Sequence, residues 1–255
     1  MIDIHCHILP GVDDGPVSID ESLLMAREAV KEGIKTIIAT PHHKNNKYEN
    51  TKNQILEKVR NFNKVLIKEN IPLEILPGQE NRIYGELIED FQSEKILTLS
   101  NTNYLFIEFP STHVPRYTEK LLYEIQTLGI IPIIVHPERN GELLKNPDII
   151  YKLVKNGSLT QVTASSIAGY FGKSIQKFSG QLIEHNLTHF IASDAHNISN
   201  RTFKMAEAFK LIESAYGVDY TYIFSENSNS LIKGNNIIKE IPEAIRKKKF
   251  LGIFQ

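Results

Sequence analysis

The chain has 255 residues, 41% of them hydrophobic and 23% charged, with 29 Lys+Arg against 30 Asp+Glu. These proportions are globular and exclude wholesale disorder, and a formal net charge of −1 leaves no basic footprint for nucleic acid. The single cysteine, Cys6, excludes an intrachain disulfide and a cysteine-only zinc site and fits a reducing compartment. No apolar run approaches the roughly 20 residues needed to span a bilayer, and no basic start precedes an apolar stretch. The expectation is a cytoplasmic chain without a cleaved leader.

Residues 2–7 alternate Ile2, Ile4, Cys6 against Asp3, His5, His7, a strand pattern with one apolar and one polar face. After a loop marked by Pro10, Gly11, Gly15 and Pro16, Ser18 with Glu21 reads as a capping box. Ile19, Leu23, Ala26 and Val30 then repeat at helical spacing up to a stop at Gly33. The run from Ile34 to Thr40 predicts a second strand ending at Pro41-His42-His43. Alternation continues with helices near 48–69, 117–128, 147–155, 170–185 and 202–215. Strands fall near 72–79, 104–109, 130–135, 159–163 and 188–192, making seven strands in all. From about residue 216 the pattern predicts one or two helices and an irregular end carrying Lys247, Lys248 and Lys249, read as a solvated tail. The simplest organisation is one domain, 1–255, with a short C-terminal extension.

Strands alternating with helices predict an α/β fold with a mostly parallel sheet. His7, His42, Glu80, Glu108, His136 and Asp194 all fall at or just past the C-terminal ends of predicted strands. Six such ends favour a barrel, whose chemistry gathers on that face, over an open sheet, which collects only a few at its switch point.

His5 and His7, two apart on a strand, share a face and can reach one ion together. Asp3 shares that face one step deeper. Burying such a row unpaired costs several kcal/mol, and a metal ion removes the cost. Asp194 and His196 repeat the spacing after the apolar run Phe190-Ile191-Ala192. Glu108 interrupts Tyr104-Leu105-Phe106-Ile107, where a carboxylate needs either a cation or a buried Lys or Arg partner. Cys6 faces away from the histidines and reads as a core residue, and position 12 is Val12, not the arginine of a Cys-x5-Arg phosphatase. His43, His113, His185 and His189 have no motif around them.

The stretches D-I-H-C-H-I-L-P-G-V-D-D-G at 3–15, A-T-P-H-H at 39–43, P-G-Q-E at 77–80, I-E-F-P at 107–110, H-P-E-R-N at 136–140 and S-D-A-H-N at 193–197 span almost the whole chain. Together they resemble the PHP (polymerase and histidinol phosphatase) metal-dependent phosphoesterases, and within them the bacterial tyrosine-protein phosphatases of capsule and exopolysaccharide synthesis. The resemblance implies a distorted (βα)7 TIM-like barrel holding three divalent ions. It assigns His5, His7, Glu80 and Asp194 to the first, Glu80, Glu108 and His136 to the second, and Asp14, His42 and His196 to the third. It implies manganese, although nitrogen and oxygen donors also suit Fe, Co or Zn.

Asp14 and His42 count as catalytic as well as ligating. Arg139 is the first candidate to clamp the phosphate through its planar fork, with Arg201 the second. The implied substrate is a phosphotyrosine protein, the tyrosine-rich tail of a membrane-associated tyrosine autokinase. Rival readings are a small phosphate monoesterase of the histidinol-phosphatase kind, a nuclease or editing domain, an amidohydrolase barrel, and a non-catalytic metal-binding regulator. The general acid, the oligomeric state and the metal actually loaded are not fixed by these residues.

Overall fold

β-Branched and aromatic runs form short strands in the computed structural model, which describes residues 1–245. The run Lys247, Lys248, Lys249 lies outside the described residues. The amino-terminal elements are β1 (Ile2–Cys6), α1 (Ile19–Lys31), β2 (Thr36–Ala39), β3 (His42–His43), α2 (Lys52–Lys68), β4 (Glu74–Pro77), β5 (Glu80–Arg82) and α3 (Leu87–Gln92). The middle holds β6 (Tyr104–Glu108), α4 (Thr118–Thr127), β7 (Ile131–Val135), α5 (Gly141–Lys145), α6 (Asp148–Lys155) and β8 (Leu159–Thr163). The rest is α7 (Ala164–Ile167), α8 (Lys173–Glu184), β9 (Phe190–Ala192), α9 (Met205–Tyr216) and α10 (Val218–Ile232). No described helix is long and apolar enough to cross a membrane.

The strands pair throughout in parallel, in two sheets ordered β1-β2-β4 and β3-β5-β6-β7-β8-β9. Two of the seven expected strands are each broken in two. Between β2 and β3, Pro41 has no N–H for a ladder, and its carbonyl instead accepts from Glu80 N at 3.1 Å. Between β4 and β5, a Cβ on Gly78 would lie 2.6 Å from Ile38 Cγ2, so only glycine lets the two strands approach this closely. At the far border β1 meets the chain just after β9. Asp194 N donates to His5 O at 2.8 Å and His7 N to Ala195 O at 2.9 Å, and Cys6 and Ala195 form a parallel bridge. The architecture is α/β with two parallel sheets whose borders approach, rather than one continuous ring of strands.

Strand residues divide between two apolar clusters. One joins Ile37, Ala39, Leu105, Ile107, Ile134 and Ile191 to the helices through residues such as Met25, Phe62, Leu121 and Leu182. The other joins Ile38, Tyr104, Phe106, Ile133 and Phe190 on the opposite strand face to Leu99, Leu231 and Ile237. That second cluster is covered by α10 and the chain beyond it, where Tyr104 Oη donates to Asn235 O at 2.7 Å. In α1 the buried residues are Ser22, Met25, Ala26 and Ala29, while Ile19 is exposed. The expected stripe is thus displaced by about one position, because small side chains let the helix sit close to the strands.

β1 departs from simple alternation. Asp3 pairs with Ile37 but Cys6 with Ala39, three residues against two, which is a bulge that re-aims the strand beyond it. Ile4 therefore lies in the strand-interior cluster and Cys6 in the helix-facing one. Asp3 leaves the expected histidine row: its carboxylate accepts from Ser193 N (2.9 Å), Ser193 Oγ and His5 N (3.3 Å), tying β1 to the segment after β9. Burial pushes the Asp3 carboxyl up to about 6 against those donors. A raised acid favours folding while protonated and loses that contribution as pH climbs through its folded value. Wild-type stability is therefore expected to fall, by up to about 3 kcal/mol, between pH ~4 and ~6 relative to Asp3→Asn. Urea melts of both proteins across that window measure it, and parallel profiles would remove Asp3 as the cause.

Candidate metal centre

The strand ends supply the site. His5 is the last but one residue of β1 and His7 follows the strand, His42 opens β3, Glu80 opens β5, Glu108 closes β6, His136 follows β7, and Asp194 and His196 follow β9. Two of them have left-handed backbones, His136 at φ 36° and Asp194 at φ 51°. That conformation costs about 1–2 kcal/mol in a non-glycine residue, and such strain gathers where function over-determines the geometry.

Four donor atoms converge first. His5 Nε2 lies 3.4 Å from His7 Nε2, Glu80 Oε2 and Asp194 Oδ1, and His7 Nε2 lies 3.2 Å from that Glu80 oxygen and 3.3 Å from that Asp194 oxygen. The His5, His7 and Glu80 atoms form one possible ion site, and a point equidistant from these three lies about 2 Å from each, the bond length of a first-row divalent ion to nitrogen or oxygen. Beside them, Asp14 Oδ1 lies 3.3 Å from His42 Nε2 and 3.4 Å from His196 Nε2, forming with His7 a second possible ion site. Glu80 Oε2 is 2.9 Å from His42 Nδ1, and Glu108 Oε2 is 3.8 Å from the same nitrogen, forming a third. His136 Nε2 meets the other Glu80 oxygen, Oε1, at 2.8 Å. Glu80 Oε2, Glu108 Oε2, His42 Nδ1 and His196 Nε2 are buried without a hydrogen bond, a costly state that a cation relieves.

The imidazoles are pre-aimed. Gln161 Oε1 accepts from His5 Nδ1 at 2.8 Å, Asp13 Oδ2 from His7 Nδ1 at 2.7 Å, and the Asp194 carbonyl from His196 Nδ1 at 2.9 Å. Each ring therefore turns its Nε2 lone pair inward. Asp13 also accepts from His42 N at 3.2 Å and Gly15 N at 3.0 Å. A Cβ on Gly15 would overlap the His7 carbonyl, so glycine lets the Asp13-Asp14 loop close over the site.

The electrostatics are those of an anion-rich cage. Burial opposes ionisation of Glu80, but His42, His5 and His136 hold its carboxyl well below the usual range. Burial likewise opposes ionisation of Asp194, which Arg139 and His5 hold low. Burial and the Glu80 charge push Glu108 up to about 7. Burial works against a proton on His42, yet the Glu80 and Asp14 carboxylates push it up to about 10. His136, through burial and Arg139, falls to about 4; His196, through burial and His7, also falls to about 4. A charge balance that here takes protons on histidine is one divalent cations can take over, releasing those protons.

Above the cluster lies a cavity of about 350 Å³ lined by His42, Glu108, His136, Asp194, Arg139 and Arg201 among others. Arg139 Nη2 is 2.6 Å from Asp194 Oδ2, and Arg201 reaches Asp14 Oδ2 at 3.2 Å and Asp194 Oδ2 at 3.4 Å.

Residues 1–233 match the family described as Capsular polysaccharide synthesis, CpsB/CapC. The chain belongs to the CpsB/CapC family. It is 48% identical over 254 residues, all of both chains, to the tyrosine-protein phosphatase YwqE of Bacillus subtilis strain 168. It is 40% identical, over 99% of this chain and 100% of the relative, to the putative tyrosine-protein phosphatase CapC of Staphylococcus aureus. Its coordinates overlay a crystal structure of the YwqE/CpsB metal-dependent tyrosine phosphatases with TM-score 0.95 at 48% identity, over 97% of this chain and 100% of the other.

In this CpsB/CapC chain His5, His7, Asp14, His42, Glu80, Glu108, His136, Asp194 and His196 all stand around one mouth, with Arg139 and Arg201 above them. The grouping differs from that implied by family resemblance: His42, not His136, sits with Glu80 and Glu108, His7 joins Asp14, His42 and His196, and Asp194 falls in none of the three groups. Of the two partners expected for Glu108, the structure shows the arginine: Oε1 pairs with Arg82 at 3.3 Å, while Oε2 faces His42 at 3.8 Å. Asp13, Gln161 and Arg82 went unnoticed in the sequence. The H-P-E-R-N stretch does more than expected. Glu138 Oε1 accepts from Thr163 N (3.0 Å) and Ser166 Oγ (2.7 Å). Asn140 caps α5 through Glu142 N and Leu143 N, each at 3.0 Å, and donates to Pro110 O at 2.7 Å.

Proposed function

We propose that this chain hydrolyses phosphotyrosine in protein with three divalent ions, manganese in the cell. We further propose that its substrate is the tyrosine-rich tail of a membrane-associated tyrosine autokinase of capsular or exopolysaccharide synthesis, met in the cytoplasm. The ligands are His5, His7, Asp14, His42, Glu80, Glu108, His136, Asp194 and His196, carried by a single domain read as a seven-stranded barrel with its ring interrupted at Pro41 and Gly78. The reading rests on one observation above all: a cage of carboxylates and imidazoles with unsatisfied buried atoms lies directly beneath two arginines. The names of the relatives supply the phosphotyrosine.

Bound divalent ions supply Lewis acidity and an activated water for in-line displacement at phosphorus. The chain supplies the rest. Arg139 and Arg201 present guanidinium forks to the phosphoryl oxygens, and Asp194 holds both in place. Asp13 and Gln161 fix the tautomers of His7 and His5. Cys6 is fully buried in the helix-facing core and burial pushes its thiol up, so no cysteine nucleophile participates.

Turnover of a phosphotyrosine peptide and of histidinol phosphate, measured before and after chelation, tests the proposal. Chelation is expected to lower peptide turnover at least about 10²-fold, and added Mn²⁺ to restore it. Full turnover after exhaustive chelation overturns the metal assignment, and a large preference for histidinol phosphate overturns the substrate.

A further inference from the structure

Phosphotyrosine differs from other phosphate monoesters in having a flat ring one atom away from phosphorus. A site that selects it needs an apolar, ring-sized surface beside the phosphate clamp. Two aromatic rings stand near it: Phe109 lines the cavity but packs in the helix-facing core, whereas Phe171 lies against the clamp itself. The Phe171 ring centre lies 5.4 Å from Arg139 Cζ, and Arg139 lines the cavity over the metal ligands.

Three observations separate Phe171 from an ordinary core phenylalanine. Among the described residues it packs with neither apolar cluster, so the core does not account for it. It follows β8 in the turn between α7 and α8, on the strand-end side that carries the metal ligands. The turn is stiff: Tyr170 N donates to Ser165 O and Gly172 N to Gly169 O, both at 3.0 Å, and Gln176 Nε2 to Ile167 O at 3.0 Å. A half-buried ring is thus presented in a fixed place at low entropic cost.

We propose that Phe171 is a specificity-determining residue, the wall against which the substrate's tyrosyl ring packs while Arg139 holds its phosphate. This rests on the phosphotyrosine reading above. The competing role is indirect: a ring over a guanidinium also steadies it by a cation–π contact, in which case Phe171 would act through Arg139 on every phosphate alike.

Inorganic phosphate, which has no ring, separates the two roles. The experiment uses the metal-loaded full chain and its F171L and F171W variants, with a phosphotyrosine peptide as substrate and inorganic phosphate as competitive inhibitor. The expected result for F171L is a KM raised about two- to ten-fold, with kcat and the phosphate inhibition constant held within about two-fold. F171W returns KM toward the wild-type value. An unchanged KM in F171L, or a parallel rise in the inhibition constant, overturns the proposal while wild-type turnover keeps the phosphotyrosine reading intact. Failure of the wild type to cleave the peptide overturns both.

Discussion

Glu80→Gln is expected to lower phosphotyrosine turnover by about 10³-fold and to strip metal from the purified protein, read by elemental analysis. The substitution keeps size and shape, so the fold survives in a thermal melt, but it removes a charge shared by two of the proposed ion sites. Glu80 Oε2 faces His5, His7 and His42, and Oε1 faces His136. An amide presents a single acceptor oxygen and an NH₂ that cannot ligate, so at least two of the three proposed sites lose a donor together. Turnover within ten-fold of wild type and unchanged metal content would show that Glu80 is a hydrogen-bonded core carboxylate and no more.

Arg139→Lys is expected to cost about 10²-fold in kcat/KM for the phosphotyrosine peptide and to weaken inhibition by inorganic phosphate in proportion. Lysine preserves the charge that balances Asp194, so structure and metal content stay as they are. What disappears is the planar fork, which a point-charge ammonium does not reproduce. Arg139→Ala loses more, because Asp194 Oδ2 then keeps only one of its two arginines, Arg201 at 3.4 Å. Equal kinetics for the lysine variant would demote Arg139 to a structural ion pair.

The clustered residues could be read from the chain because metal chemistry demands particular side chains at strand ends, where an apolar run makes a stray His or Glu conspicuous. His5 with His7 and Asp194 with His196 carry that signal through their spacing, and Glu108 through its costly surroundings. Strand positions followed from β-branched runs for the same reason. The breaks at Pro41 and Gly78 did not follow, since each depends on how closely a neighbouring strand comes. The β1 bulge was equally invisible: alternation in one strand says nothing of a partner that is one residue shorter, and so Asp3 was placed in the wrong row. Of the adjacent acids, Asp14 was singled out and Asp13 was not, because only the folded loop shows which one grips His7. Gln161, Arg82 and Phe171 act through neighbours distant in sequence, and no local pattern marks them.

The seam between β1 and the segment after β9 has a bearing on biosynthesis. The first of the proposed ion cages draws two imidazoles from positions 5 and 7 and a neighbouring carboxylate from position 194, and Asp3 fastens to Ser193 across the same seam. A nascent chain still lacking its last quarter would hold only part of that proposed cage, so premature termination products are expected to be inert toward phosphate esters however well their early strands form. Pairing ends so distant also closes a large loop late and slowly, which ties catalytic competence to the joining of positions 3–7 with 193–196.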